Sequence, residues 1–315
     1  MLKYVVKRLI VLLPTLLGVS LLAFSLMHLI PGDPAEIILR QHGVIPTSDA
    51  IEEFRAQAGL ANPLPIQYFD WLYHLLHGDF GSSLSVSYGR PVLSEILFRF
   101  PRTLELAAVS LIISLLISIP LGILAAIRQN SIIDNLTLIG ASLGTAMPSF
   151  WLGLLLILLF SVYLGWLPVC GYGSIDHIIL PSITLGTGMA ALTMRLMRAS
   201  MLEVLEQDYI ITARAKGLPE KVVIWRHALK NALIPVITIA GLQFGWLLEG
   251  AIFVEMIFTW PGIGKLLVDS ISVRDIPMVQ GCVLFIASVF VLVNLVVDIS
   301  YGLLDPRVRY EDKQK

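Results

Sequence analysis

Six runs of mostly apolar residues, each long enough to cross a lipid bilayer, constrain this chain more than any other feature. A membrane-spanning helix needs about 20 such residues, and the runs cover residues 9–30, 103–127, 136–164, 178–197, 233–258 and 278–304. Only 14% of the 315 residues are charged and the mean hydropathy is +0.81, whereas soluble domains contain about 25% charged residues. We therefore predict an all-α integral membrane protein with six transmembrane helices, forming a single membrane domain over residues 1–315.

The positions of lysine and arginine predict that both termini lie in the cytoplasm. The first run follows Lys3, Lys7 and Arg8, and it exceeds the 7–15 apolar residues of a signal peptide, so we predict that it is retained. The outer segment 165–177 then contains no lysine or arginine, and 260–277 contains two, offset by two aspartates. This topology leaves one long outer segment, 31–102, and one long inner segment, 198–232.

The outer segment contains signals for two short helices. Asp49 and Glu52 have the spacing of an N-terminal capping box, and Gly59 is a predicted stop. The second helix ends at Gly78, and apolar residues recur near one of its faces at Ile66, Phe69, Leu72 and Leu76. Its aromatic residues, Tyr68, Trp71 and Tyr73, suit a membrane–water interface. We favour a lid resting on the bilayer over a substrate site, and both are compatible with docking of a soluble partner.

The inner segment is basic and has the pattern of two helices. Asp208 to Lys216 predicts the first, Gly217 is a predicted stop, and Pro219 suits the first position of the next. Apolar residues of the second helix recur at helical spacing at Val222, Trp225, Leu229 and Leu233. Ala213 and Gly217 are four residues apart, which would allow a neighbouring helix to approach closely.

Three interpretations of this inner segment compete. It could be a basic helix on the anionic inner leaflet, a loop that merely obeys the charge rule, or a rigid helix–turn–helix that fits a groove on a cytoplasmic partner. The bounded turn and the small residues favour the third, because a helix lying on lipid needs no close backbone approach.

Candidate catalytic and metal-binding patterns are mostly missing from the sequence. The stretch around Lys265 lacks the first glycine and the final serine or threonine of a phosphate-binding loop, and no HExxH, CxxC or GxSxG pattern occurs. We predict no catalytic residue, no cofactor and no resident metal. Five of the six histidines are predicted at or beyond the outer face, so a metal chelate as cargo stays open. Cys170 and Cys282 are predicted to be free thiols, although a bond between them stays possible.

The translocation path has four candidate residues. Glu249 lies near the middle of the fifth apolar run with Gln243 in the same helix, and an ionisable group at that depth is costly and therefore a functional candidate. Met147 and Phe150 could line a constriction beside Pro148. For all four, packing within the bundle is the alternative.

Several motifs resemble one family of transport proteins. The stretch "DYIITARAKGLPEKVVIWRHALKNALIP" is similar to the cytoplasmic loop of permease subunits in ABC importers, in the peptide and nickel permease branch and its B-type subunit. Ala213, Gly217 and Leu229 match the general loop motif, and "TARAKG" followed by "RHALKNA" resembles the peptide-permease variant. Matching stretches occur along nearly the whole chain: "HLIPGDPA", "GDFGSS", "MPSFWLG", "VEMIFTWPGIG" and "YGLLDPRVR".

The resemblance implies the type I ABC importer permease fold in a bacterial inner membrane. It implies four kinds of partner: a second homologous permease, two cytoplasmic ATPase subunits, an external solute-binding protein and the lipid bilayer; no nucleic acid is expected. ATP hydrolysis would take place on the ATPases, so the chain itself is not an enzyme. The residues expected to couple to the ATPases are Thr212, Ala213, Arg214, Ala215, Lys216, Gly217, Arg226, His227, Leu229 and Asn231.

The cargo and the energy source have alternatives. Di- or oligopeptides are the first expectation for the cargo, followed by glutathione and nickel or another metal chelate. A secondary transporter would show internal repeats and ion-coupling residues at the midplane; the sequence contains no clear repeat, and Glu249 is its one strong midplane charge. A membrane receptor or scaffold would have the same spans without uptake.

Overall fold

The computed structural model describes residues 2–29, 33–41, 43 and 45–304, and this part of the chain is built from helices without a β-strand. The first helices are α1 (Leu2–Leu29), α2 (Pro34–Gln41), α3 (Ser48–Gln57), α4 (Leu64–Leu76) and α5 (Val92–Ile127). They are followed by α6 (Ile132–Ala146), α7 (Ser149–Leu156) with a π-helical extension (Ile157–Tyr163), and α8 (Ile175–Leu205). The last are α9 (Asp208–Ala215), α10 (Glu220–Val222) with a π-helical turn (Val223–Ala228), α11 (Leu229–Ile257), α12 (Ile263–Ser272) and α13 (Ile276–Leu304).

Four helical stretches among the described residues are long and apolar enough to cross a membrane, judged by length and composition. They are Val92–Ile127, Ile175–Leu205, Glu220–Leu247 and Ile276–Val297. A fifth is added if α6 and the helix after it form one broken span, and α1 contains a shorter apolar stretch, Pro14–Leu29.

The third apolar run, 136–164, differs from a simple continuous helix. It is divided at Met147 and Pro148, and the helices on either side, Ile132–Ala146 and Ser149–Tyr163, are bent by 105°. Proline disfavours the helical conformation of the residue before it, and Met147 is accordingly extended, with ψ 124°. The bend leaves Phe150 exposed in the first turn of α7.

The described residues divide into two compact units, one drawn from the ranges 1–103 and 261–295 and the other from 104–260 and 296–315. In the first unit, the buried carboxylate of Asp275 anchors the loop before α5. It accepts hydrogen bonds from the backbone N–H groups of Leu84, Ser85 and Val86 at 3.1, 2.9 and 3.1 Å, and another from the Ser83 hydroxyl. A buried charge is tolerated when it is hydrogen-bonded in this way, so these bonds fix the loop to the start of α13.

The predicted cap of the first outer helix is wrong, whereas both predicted stops agree with the structure. Thr47, not Asp49, is the N-cap of α3, and its hydroxyl accepts from the Ala50 N–H at 3.4 Å. Threonine and aspartate are both good caps, so sequence spacing alone does not distinguish them. Gly59 and Gly78 follow the ends of α3 and α4 with φ of +70° and +83°.

In the second unit, glycines allow α5 and α8 to approach at backbone distance. A β-carbon placed on Gly186 would lie 2.7 Å from the Ser110 carbonyl oxygen, and one on Gly122 would lie 2.8 Å from the Met194 carbonyl oxygen. Small residues at such crossings are the usual means by which membrane helices pack closely. At the start of α6, the largely buried Asp134 carboxylate receives two hydrogen bonds from Arg198 of α8, at 2.6 and 2.7 Å.

The α5–α8 crossing gives a stability prediction with a control in the same helix. Gly186→Ala should lower the free energy of unfolding by about 1–3 kcal/mol, because the new methyl group meets a backbone oxygen that cannot move aside. Gly188→Ala is the control, since a β-carbon there has no neighbour within 4 Å. Thermal unfolding of the purified protein in detergent measures both, and equal melting temperatures for the two variants would contradict this account of the crossing.

Candidate functional site

The basic segment after α8 forms two short helices joined by a tight turn, which we call the inner helix pair (residues 208–228). Helix α9 ends at Ala215, and Gly217 follows with φ +75°. The Leu218 N–H donates to the Ala213 carbonyl at 3.4 Å and the Gly217 N–H to the Arg214 carbonyl at 2.9 Å. These two bonds define a Schellman ending, which favours glycine at the left-handed position. The predicted stop at Gly217 is therefore present, and Pro219 is the N-cap of α10, one residue before its predicted position.

One face of the inner helix pair is buried against the ends of the long helices. The buried cluster joins residues of five elements, α5, α8, α9, the π-helical turn and α11: Ile123, Ala126, Met197, Met201, Ile210, Ala213, Val223, Ile224, Ala228, Ala232 and Val236. Such interiors are closely packed and resist compression. A displacement of the inner helix pair would consequently be passed to α5, α8 and α11.

Polar contacts fix the geometry of the pair from outside the cluster. Arg214 donates two hydrogen bonds to Glu220 across the turn, at 2.7 and 3.2 Å. Hydrogen bonding to Glu220 is also the main reason that the pKa of the Arg214 guanidinium is raised above its ordinary value. Because both side chains are substantially exposed, the pair adds only about 0–1 kcal/mol to stability. Asn231 of α11 donates to the Tyr209 hydroxyl at 2.7 Å, which ties α9 to α11.

The opposite face of the pair carries large apolar side chains that are exposed. Ile211 and Trp225 are 56% and 57% exposed, and Tyr209 and Leu218 are also exposed. Large apolar side chains that are exposed outside the long apolar helices are candidates for contact with another protein. The sequence patterns singled out neither Tyr209 nor Leu218 for this surface.

The predicted apolar stripe is wrong at Trp225, which is exposed, whereas Leu229 and Leu233 are partly buried against the cluster. The buried residues are Val223, Ile224, Ala228 and Ala232, whereas Trp225 points away from the cluster. The buried row runs through Ile224, Ala228, Ala232 and Val236 at a spacing of four residues, and Trp225 lies about 100° around the helix from it. The sequence pattern groups Trp225 with Val222 and Leu229, because apolar residues recur at helical spacing on both rows.

The expected coupling residues are divided between the two faces of the inner helix pair and the start of α11. Ala213 is buried, and Leu229 is partly buried against the same cluster. His227 is partly buried, and the exposed members are Thr212, Arg214, Ala215, Lys216, Gly217, Arg226 and Asn231. Ala213 is buried in the cluster, whereas an added β-carbon on Gly217 would have no neighbour within 4 Å in this chain, and the predicted close approach of a partner helix there stays a prediction.

The four candidate path residues have different surroundings. Phe150 is 49% exposed and Met147 is partly buried at the α6–α7 bend. Gln243 is 2% exposed; its side-chain oxygen accepts from the Thr193 hydroxyl at 2.9 Å and its amide donates to the Met189 carbonyl at 3.5 Å. Glu249 belongs to α11, but its side chain lies outside the described residues.

Cys170 and Cys282 are both free, the first exposed and the second buried. In the described part of the chain, no group of three His, Cys, Asp or Glu side chains could hold a metal ion.

Comparison with known families decides the class of this protein. Residues 118–310 match the family "Binding-protein-dependent transport system inner membrane component", and residues 1–107 match the N-terminal region of the same kind of component. The chain belongs to this family. It is thus an ABC importer permease, a multi-pass protein of the bacterial inner membrane that is not itself catalytic.

This permease is similar to curated relatives over their full length. The chain is 48% identical to the glutathione transport system permease protein GsiC of Salmonella typhimurium and 47% identical to that of Escherichia coli. Each alignment covers 99% of this chain and 100% of the relative. Among solved structures, the MetNI methionine ABC transporter is similar in fold, with a TM-score of 0.54 and 17% identity over 68% of this chain and 97% of that one.

The turn in the inner helix pair gives a prediction that does not depend on transport. Gly217→Val should destabilise the ending of α9 by about 1–2 kcal/mol, because a side chain with a branched β-carbon is strained at positive φ. Gly217→Asn should be tolerated, since asparagine adopts this conformation more readily. Hydrogen–deuterium exchange of the backbone amides of residues 208–218 measures the effect. The valine variant should exchange faster than both the parent and the asparagine variant, and indistinguishable exchange in all three would refute the role assigned to the glycine.

Proposed function

We propose that this permease imports short peptides, using energy from ATPase subunits that grip the inner helix pair. The observation that carries the proposal is the two-sided structure of that pair: a buried face fixed to the long helices and an exposed face with Ile211 and Trp225. An inner leaflet helix would need an apolar face turned toward lipid and no rigid attachment through a buried cluster. A coupling element needs both a contact surface and a stiff connection.

The proposed mechanism is a relay of rigid-body motion. ATP binding would close the two ATPase subunits, which would move the inner helix pair through its exposed side chains. The buried cluster would then shift the adjoining ends of α5, α8 and α11, and the spans would alternate between outward and inward openings. An external binding protein would deliver the cargo between this permease and a second, homologous permease.

The proposed topology has six spans with both termini in the cytoplasm. In this arrangement α1 is the first span, and the bent pair of α6 and α7 with its π-helical extension is the third. The remaining spans are α5, α8, α11 and α13, consistent with their length and apolar composition. The inner helix pair then lies in the cytoplasm between the fourth and fifth spans.

The α6–α7 bend forms one wall of the proposed translocation path. Phe150 is exposed at this bend, where it would contact cargo or the second permease. Glu249 is retained as a path candidate because of its position within α11. Gln243 is better suited to packing, since its side chain is buried between α8 and α11 and bonded to Thr193.

The proposed cargo is a short peptide, with glutathione as the first compound to test. The support is the full-length identity of 48% to a glutathione transport permease. A tripeptide of this size carries charged termini, which a binding protein recognises before the permease does. The permease therefore needs only a path wide enough and polar enough for its passage.

The exposed face of the inner helix pair gives a prediction about assembly. Ile211→Asp and Trp225→Ala should each weaken association with the ATPase subunits by about 2 kcal/mol, or roughly 30-fold, if the two side chains are central to the contact. Ile175→Asp is the matched control, since Ile175 is 81% exposed at the distant start of α8. Co-purification from membranes and ATP-dependent uptake measure the effect. Normal association and uptake in both test variants, with the permease at normal abundance, would count against the proposed contact between the inner helix pair and the ATPase subunits.

The cargo proposal predicts a specific pattern of uptake. Cells that lack the gene for this chain should lose uptake of labelled glutathione or of labelled dipeptides, and reintroducing the gene should restore it. Excess unlabelled peptide should compete, whereas a nickel chelate should not. Competition by the nickel chelate alone would reassign the cargo, and uptake driven by an ion gradient without ATP would show a secondary transporter instead.

A further inference from the structure

Helix α4 in the outer segment has an exposed row of large apolar side chains. Ile66, Phe69, Tyr73 and Leu76 are between 54% and 78% exposed. Their spacing of three, four and three residues places them along one side of a helix. Four large apolar residues in a row are more than the scattered exposed residues that soluble surfaces tolerate.

The neighbouring face of α4 is attached to α1. The Tyr68 hydroxyl and the Ser20 hydroxyl are 2.9 Å apart, and the Tyr68 ring packs edge-on against Phe24 at 5.3 Å between ring centroids. Nearer the end of α1, the His28 ring nitrogen and the Gln67 side-chain oxygen are 3.3 Å apart. Ser20 is only 1% exposed, so the first turns of α4 are seated on α1 itself.

These contacts fix the depth of α4 along α1. Ser20 precedes the end of α1 at Leu29 by nine residues, which corresponds to about 14 Å along a helix axis. The same stretch of α1 also exposes leucines: Leu17, Leu21, Leu22, Leu26 and Leu29. Tyr68 therefore reaches a level of α1 where the helix presents apolar side chains to its surroundings.

A third face of α4 is polar. Asp70 and His74 lie on it, and both side chains are more than half exposed. They border a cavity of about 370 Å³ that Phe24 and Phe80 also line. The helix thus presents an apolar row, an attached face and a polar face, which is the pattern of a helix lying in a membrane interface.

We propose that the row formed by Ile66, Phe69, Tyr73 and Leu76 is embedded in the outer leaflet, at the boundary between headgroups and acyl chains. The inference rests on the proposed function in taking α1 as the first span. A soluble binding protein is a poorer occupant, because the first turns of α4, which carry Ile66 and Phe69, lie alongside α1 rather than beyond its end. Embedding would hold the outer segment at a constant depth beside α1, with the polar face and its cavity turned toward water.

The test measures lipid exposure directly in the full-length protein reconstituted into vesicles. The background is Cys170→Ser, with the buried Cys282 retained, and single nitroxide labels are placed at Phe69→Cys or Leu76→Cys. Labels at Asp70→Cys and His74→Cys are the matched controls on the polar face of the same helix. Electron paramagnetic resonance then compares label accessibility to oxygen, which concentrates in lipid, with accessibility to a water-soluble nickel chelate.

The expected result is a higher ratio of oxygen to nickel-chelate accessibility at positions 69 and 76 than at positions 70 and 74. A label at Leu22→Cys on α1 distinguishes a failure of this inference from a failure of the proposed first span. If position 22 is in lipid but positions 69 and 76 are in water, the inference is overturned while the first span stands. If position 22 is also in water, the proposed span fails. Positions 69 and 76 that become shielded only when the binding protein is added would identify a protein contact instead.

Discussion

The inner helix pair depends on the apolar cluster that attaches it to the long helices. Ile210 and Ala213 of α9, together with Val223 and Ile224 of the π-helical turn, pack against Met197 and Met201 of α8. The Ser200 hydroxyl adds a hydrogen bond to the Ala232 carbonyl at 3.0 Å, which joins α8 to α11. The proposed coupling requires that a charged segment outside the lipid move together with helices that cross it. Burial of one face suits that proposal, because it leaves the charged side chains on the exposed face.

The sequence predicted features that depend on local chemistry. Gly59, Gly78 and Gly217 end helices because their φ values are positive, and a glycine after a helical pattern is a strong local signal. The helical character of the apolar runs also follows from composition, since backbone groups in lipid must be bonded within the segment. The family resemblance rested on motifs along nearly the whole chain, and the full-length matches agree with it.

Other features depend on contacts that the sequence does not display. Trp225 is exposed because the buried row of its helix runs through Ile224 and Ala228, and apolar residues recur at helical spacing on both rows. The division of the third run at Met147 and Pro148 required knowing that this proline would break the helix, whereas Pro14 and Pro181 lie inside continuous helices. The anchoring of Ser83 by Asp275 joins residues 192 positions apart, which no local pattern connects.

In the proposed mechanism, the inner helix pair is a cytoplasmic element held by an energy-supplying subunit. A photoreactive amino acid at Lys216, which is exposed beside the turn, tests it in membranes that contain the assembled importer. Illumination should capture a nucleotide-hydrolysing subunit, and a membrane-impermeant reagent should label a cysteine at the same position only from the cytoplasmic side. Capture of no such subunit, or labelling from the external side, would contradict the account.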